Sequence, residues 1–298
     1  MKRFIKGCII AGVACIFIGG GITAVSVALG GNLMDVLPEQ AIQWKQELGN
    51  VTQEEFWDKS KFMYDFNQSD FTDQGQPIYT ASGIKELGGV ITAGKVIIQE
   101  DSPGEEVTIF CNQDDSYYSI EEDNGELQLN SHPGDNLGNE RDLLFTIHIP
   151  KDYRFSNVEF KLKRSNKLNG RYDSDVVLIA DALSADEINL EVKAGAIKIG
   201  QGNAGELTVE TEVGAVDFSG TTTGDISAKC QAGAIELQLD GKKEDYDYDV
   251  RCKLGAIELG DEEIAVLGSK KQIDNGSDKT MDLDCEVGAI QVDFMNQV

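Results

Sequence analysis

Basic side chains are scarce in this chain: 26 lysines and arginines stand against 52 aspartates and glutamates, and the formal net charge is −26. That balance argues against grip on a phosphate backbone, which needs clustered Lys and Arg to displace counterions. It favours solubility and repulsion from anionic surfaces. Histidine is almost missing, with only His132 and His148, and no CxxC or Cys/His spacing provides a zinc site. A nucleophile elbow, an HExxH helix, a P-loop and the kinase signatures are all lacking. The chain reads as non-enzymatic: no catalytic residue, cofactor-binding residue or metal ligand is assigned, and no cofactor is expected. Proline is also rare, five against 32 glycines. With many short β-rich runs, this points to an all-β body.

One long stretch lacks charge altogether. Residues Gly7 to Gly31 carry no ionisable Asp, Glu, Lys or Arg and follow Lys2, Arg3 and Lys6. A helix of that length would span about 37 Å at 1.5 Å per residue, enough to cross a ~30 Å hydrocarbon core with some tilt. Ala28-Leu29-Gly30 also fits a signal-peptide cleavage site, but the run is long for one, and an uncleaved anchor is expected. The preceding positive charges would hold residues 1–6 in the cytoplasm and place everything after residue 31 outside. Residues 32–77 then read as a short helical juxtamembrane stalk, with Thr52 followed by Glu54 and Glu55 as a helix start.

Beyond residue 78 the pattern is that of strands. Tyr117 to Glu122, the turn Asp123-Asn124-Gly125 and Glu126 to Asn130 predict a hairpin, within a mixed or antiparallel entry sheet. Five copies of one phrase follow: Ala194-Gly195-Ala196-Ile197, Val213-Gly214-Ala215-Val216, Ala232-Gly233-Ala234-Ile235, Leu254-Gly255-Ala256-Ile257 and Val287-Gly288-Ala289-Ile290. Their glycines lie 19, 19, 22 and 33 residues apart. A period near 20 predicts stacked coils of a parallel β-solenoid, right-handed because parallel crossovers are. The apolar alternation predicts inward side chains one and three residues before each Gly and two after it. Across Gly-Ala the chain must then bend, and Gly relieves the corner. Residues 261–280 are expected to leave the stack as a polar loop.

Charged columns follow from the same alignment. Lys193, Glu212, Gln231, Lys253 and Glu286 lie two before Gly, and Glu191, Glu210, Lys229, Arg251 and Asp284 lie four before it. Opposite charges meet in such columns as exposed pairs worth under about 1 kcal/mol each. A third column, Lys198, Asp217, Glu236, Glu258 and Gln291, stacks three carboxylates. Hydration accounts for that stripe; a hard cation such as Ca²⁺ is the sharper alternative. Cys230, Cys252 and Cys285 share one inward column and read as buried thiols, with disulfides between adjacent coils conceivable; Cys111 lies elsewhere. The one basic cluster, Lys151, Arg154, Lys161, Lys163, Arg164, Lys167 and Arg171, is a solvated face or a site for an anionic glycan or wall polymer.

Several of these segments together carry a resemblance. The span ending Ala28-Leu29-Gly30-Gly31, the strand Gly94 to Ile98, Ile149-Pro150-Lys151-Asp152-Tyr153, Leu183-Ser184-Ala185-Asp186 and the Gly-Ala-Ile ladder resemble the putative-adhesin family of bacterial surface domains. The resemblance covers residues 78–298. It implies a membrane-anchored surface β-solenoid with adhesion or envelope-stress roles and no catalytic residues. The expected organisation is a cytoplasmic tail (1–6), a transmembrane anchor (7–31), a stalk (32–77) and an extracellular β-solenoid (78–298) on a single-pass plasma-membrane protein. The expected function is a cell-surface interaction or scaffold module. The alternative is an envelope-stress sensor or accessory subunit of a membrane signalling complex. Wall polymer, glycan or a membrane protein are the partners implied, and nucleic acid is not.

Overall fold

The computed structural model describes residues 76–92, 94–131, 143–163, 176–260, 262–266 and 268–295. These form a 15-stranded mixed sheet. In chain order the first eight strands are β1 (Tyr79–Ser82), β2 (Glu86–Ile91), β3 (Lys95–Ser102), β4 (Glu106–Cys111), β5 (Tyr118–Asp123), β6 (Glu126–Ser131), β7 (Leu144–Pro150) and β8 (Arg154–Leu162). They make the mixed entry region. β1 pairs antiparallel with β4 and β4 with β7, while β3 runs parallel to β7 and β2 runs parallel to β6 and β8. The expected hairpin is β5–β6, closed by Asn124 and Gly125, both left-handed at φ 54° and 89°, as a type I′ turn requires.

The repeats follow as β9 (Val177–Val192), β10 (Gly195–Thr222), β11 (Ile226–Leu239), β12 (Asp247–Leu259), β13 (Glu262–Val266), β14 (Ser269–Ile273) and β15 (Thr280–Phe294). β9, β10 and β11 pair parallel at a constant offset of 19 residues, Val192 beside Thr211 and Thr211 beside Cys230. Then the order changes. β15 lies between β11 and β12, pairing Cys230 with Cys285 and Cys285 with Cys252. The fourth repeat is therefore outermost and the last strand of the chain fills the place beneath it.

The glycine ladder explains why the repeats superimpose. Gly195, Gly214, Gly233 and Gly288 have φ between 132° and 154°. A Cβ on Gly214 would stand 2.3 Å from the Gly195 carbonyl oxygen, one on Gly233 2.0 Å from that of Gly214, and one on Gly288 2.1 Å from that of Gly233. Only a residue without Cβ lets the backbones close at this corner.

Four expectations are corrected. The fold class is all-β, but as a mixed sheet rather than a parallel solenoid: strand order departs from chain order at β15, and antiparallel strands flank the parallel ladder. No α-helix occurs among the described residues, and none of their helices is long and apolar enough to cross a membrane. The expected transmembrane helix at 7–31 and almost all of the stalk at 32–77 lie outside the described residues. The single-pass plasma-membrane localisation rested on that helix and is not carried forward. The segment 261–280 is not merely a loop, since β13 and β14 pair antiparallel with the two halves of β12 and cover its free edge.

The fourth correction concerns the corner. Val213 and Val287, each one before its Gly, do not point inward, being 51% and 39% exposed. The core passes from the position three before Gly to the position two after it, as from Cys230 to Ile235 and from Cys285 to Ile290, all buried. At two of the corners two successive residues, Glu212-Val213 and Glu286-Val287, face out. A bend consumes an extra residue on its convex side, as a bulge does. A single apolar core nonetheless runs from Ile84 to Phe294.

Candidate functional site

Three features invite a functional reading: a cleft beside the β7–β8 turn, the carboxylate stripe, and the cysteine column. The cleft is an open hollow of about 710 Å³ lined by the Ser82–Lys85 turn, Glu105, the Pro150–Ser156 segment and Asp186. Its floor is fixed by hydrogen bonds. The Tyr153 hydroxyl donates to the Ile84 carbonyl at 2.6 Å, and the backbone N–H and Oγ of Ser156 both donate to the Lys85 carbonyl at 2.7 and 3.0 Å. Tyr153 also packs edge-on to buried Phe155, and burial pushes its hydroxyl pKa up. The turn is tight: Asp152 adopts φ 57°, and its N–H donates to Glu100 at 2.7 Å.

The cations of this cleft include part of the basic cluster singled out in the sequence. Arg154 is committed, its Nε donating to Asp186 at 2.8 Å and its guanidinium reaching Asn203. Lys85 and Lys151 are exposed at the rim and make no ion pair among the described residues. The rest of the cluster goes elsewhere. Lys161 lies on the outer face of β8, paired with Glu159 at 3.0 Å and Glu191 at 3.5 Å, and the Glu159 carboxylate raises its pKa. Arg164, Lys167 and Arg171 lie outside the described residues, as does His132. Lys85 was missed from sequence because it sits 66 residues before Lys151, and only tertiary pairing brings the two turns together. His148 is held by Asp101 at 2.5 Å and stacks edge-on with Phe110.

The carboxylate stripe does not converge. Asp217 is paired with Lys198 at 3.3 Å, Glu236 accepts a hydrogen bond from Gln238 at 2.9 Å, and Gln291 of β15 separates Glu236 from Glu258. Among the described residues no three His, Cys, Asp or Glu side chains group as a metal site. Desolvation raises the Glu236 pKa, with the nearby Asp217 and Asp293 carboxylates adding to the rise, the expected response of a half-buried carboxylate.

The other columns form ion-pair ladders. Lys193 meets Glu212 at 2.8 Å, Lys229 meets Glu210 at 2.9 Å, Arg251 meets Asp284 at 3.5 Å, and Lys253 pairs with Glu286. These are exposed, and each contributes little to stability.

The cysteine column is in register across three strands and buried, Cys230, Cys252 and Cys285 being 1%, 2% and 0% exposed. All three are free thiols, as is half-buried Cys111. The Cys230 thiol donates to the Val287 carbonyl at 3.9 Å. Donation of the Cys285 S–H to its neighbours Cys230 and Cys252, together with burial, pushes the Cys285 thiol pKa well up.

No family model matches the chain, and no curated protein matches it. Among solved structures it is similar to a putative cell adhesion protein from Clostridium sporogenes, with 12% identity, a TM-score of 0.36, and coverage of 74% of this chain and 100% of that one. A putative adhesin from Bacteroides fragilis is similar at 15% identity and TM-score 0.31, covering 72% of this chain and 96% of that one. A third, a putative adhesin from Parabacteroides distasonis, has 11% identity and TM-score 0.31, over 74% and 98%. Likenesses this distant carry no argument about what this chain binds.

Proposed function

We propose that the chain is a non-enzymatic interaction module, and that the cleft at the β7–β8 turn is where it takes an anionic polymer such as an acidic glycan or wall polymer. The observation that carries this reading is the pair Lys85 and Lys151, exposed on the rim of one hollow without an ion-pair partner among the described residues. The lining balances three cations, Lys85, Lys151 and Arg154, against Glu105, Asp152 and Asp186, so in a chain of net charge −26 this hollow is locally neutral. A neutral hollow whose Lys85 and Lys151 make no ion pair among the described residues repels a carboxylate or phosphate less than the rest of the acidic surface does, and offers it two cations to pair with. The side chains of Tyr153 and Pro150 add apolar surface to the same hollow, as ring-shaped ligands need.

The test uses the full chain and immobilised polygalacturonate, with neutral dextran as control. Binding to the acidic polymer alone, falling about tenfold in the Lys85→Ser, Lys151→Ser double variant and weakening with salt, is the expected result. Equal retention on dextran, or undiminished binding by the double variant, sinks the cleft as the site.

A further inference from the structure

The interchange of the last two repeats assigns the buried thiols a chemistry that chain order would not. Neighbouring strands in a sheet lie about 4.8 Å apart, within the Cα separation of about 4.4–6.8 Å that a disulfide accepts. Strands two places apart are about 9.6 Å away and cannot be bridged without backbone movement. In chain order the repeats run Cys230, Cys252, Cys285, and Cys252 would be the shared neighbour. In the structure Cys285 pairs in register with Cys230 on one side and with Cys252 on the other. All three side chains face the same core, each at most 2% exposed.

The geometry points to a single-disulfide oxidation site centred on Cys285, which bonds to either Cys230 or Cys252 and always leaves the third thiol free. The oxidant is a small-molecule disulfide such as oxidised glutathione. One cysteine thiolate attacks it, forming a mixed disulfide and releasing one glutathione thiolate. The neighbouring cysteine thiolate then attacks the protein sulfur of that mixed disulfide and expels the second glutathione. The two protein sulfurs are oxidised, the glutathione disulfide is reduced to two thiols, and the two protein protons go to those leaving thiolates. The spare thiolate can also attack Cys285, so that the bond moves from one partner to the other with no net redox change. Because the column is closed to solvent, the reaction belongs to folding or to opening of the β11–β15–β12 ladder.

The experiment refolds the full chain from denaturant in a glutathione redox buffer, quenches with an alkylating reagent and maps linked peptides by mass spectrometry. The wild type is expected to give Cys230–Cys285 and Cys252–Cys285 peptides and no Cys230–Cys252 peptide. Cys252→Ala should still give the Cys230–Cys285 link, and Cys285→Ala should give no link within the column. A Cys230–Cys252 bond in Cys285→Ala, or its dominance in the wild type, overturns the assignment and the strand order behind it. Absence of any linked peptide in both the wild type and Cys252→Ala overturns the oxidation site. Circular dichroism of each variant confirms that the alanine forms fold.

Discussion

At the scale of single residues, the corner glycines and Glu236 decide most. Gly233 has φ 151°, and a Cβ there would stand 2.0 Å from the Gly214 carbonyl oxygen, a clash with backbone that no rotamer can relieve. Gly233→Ala is therefore expected to cost about 3 kcal/mol or more, at the upper end of single-site effects, and to lower the thermal midpoint; a midpoint within a degree of wild type would refute the ladder. Glu236 acts in the opposite sense. Its folded pKa is raised by desolvation, so the native state binds its proton more tightly than the unfolded chain does. Its contribution is fully favourable below the ordinary carboxylate pKa and is lost as pH rises through the raised value. Glu236→Gln, which retains a carbonyl acceptor for Gln238, should then raise the midpoint at pH 7 and give no gain near pH 4. A gain that is constant across that range would rule out titration as the cause. The corner glycines were legible from spacing alone, whereas the outward turn of Val213 and Val287 was not. Alternation fixes parity within a strand but says nothing of the residue a bend consumes.

At the scale of elements, β15 is the decisive strand. In a sequential stack, deleting the last repeat removes one terminal neighbour and leaves the others in place. Here β15 is an interior strand, hydrogen-bonded to β11 and β12, so chain ending at residue 279 leaves a gap in the sheet. That truncation is expected to abolish amide protection along β12 and in β11 as well, measured by hydrogen exchange; protection retained in β12 would show that the fourth repeat stacks on the third by itself. The charge columns carried a hint of this order. Chain order would set Lys229 beside Arg251 and Glu236 beside Glu258, while the observed order inserts Asp284 and Gln291 between them. Like charges directly opposite disfavour a pairing and opposite charges favour it, so the alternation of sign is better satisfied by the interchange. The crossovers it demands are pinned by buried Tyr246, whose hydroxyl meets Thr222 Oγ1 at 2.5 Å, by Asp247, which accepts from the Asn275 and Ser277 N–H groups, and by Asp225, which accepts from the Thr280 N–H at 2.7 Å.

At the scale of the whole molecule, both flanks of the parallel ladder end in antiparallel strands. β13 and β14 cover β12, with Lys270 and Lys271 exposed on β14, and β1 and the β5–β6 hairpin flank the entry region. Charged, short edge strands discourage further pairing. The amino-acid sequence by itself determined the all-β character, the hairpin at Asn124-Gly125, the 19-residue offset and the facing of the cysteines. Those are local consequences of side-chain period, turn chemistry and repeat length. Only the tertiary structure decided which repeat lies beside which, where the core crosses each corner, and which lysines share a cleft. Each of those depends on pairing between distant segments, and strands of equal period fit one another in more than one order until long-range packing and charge select among them.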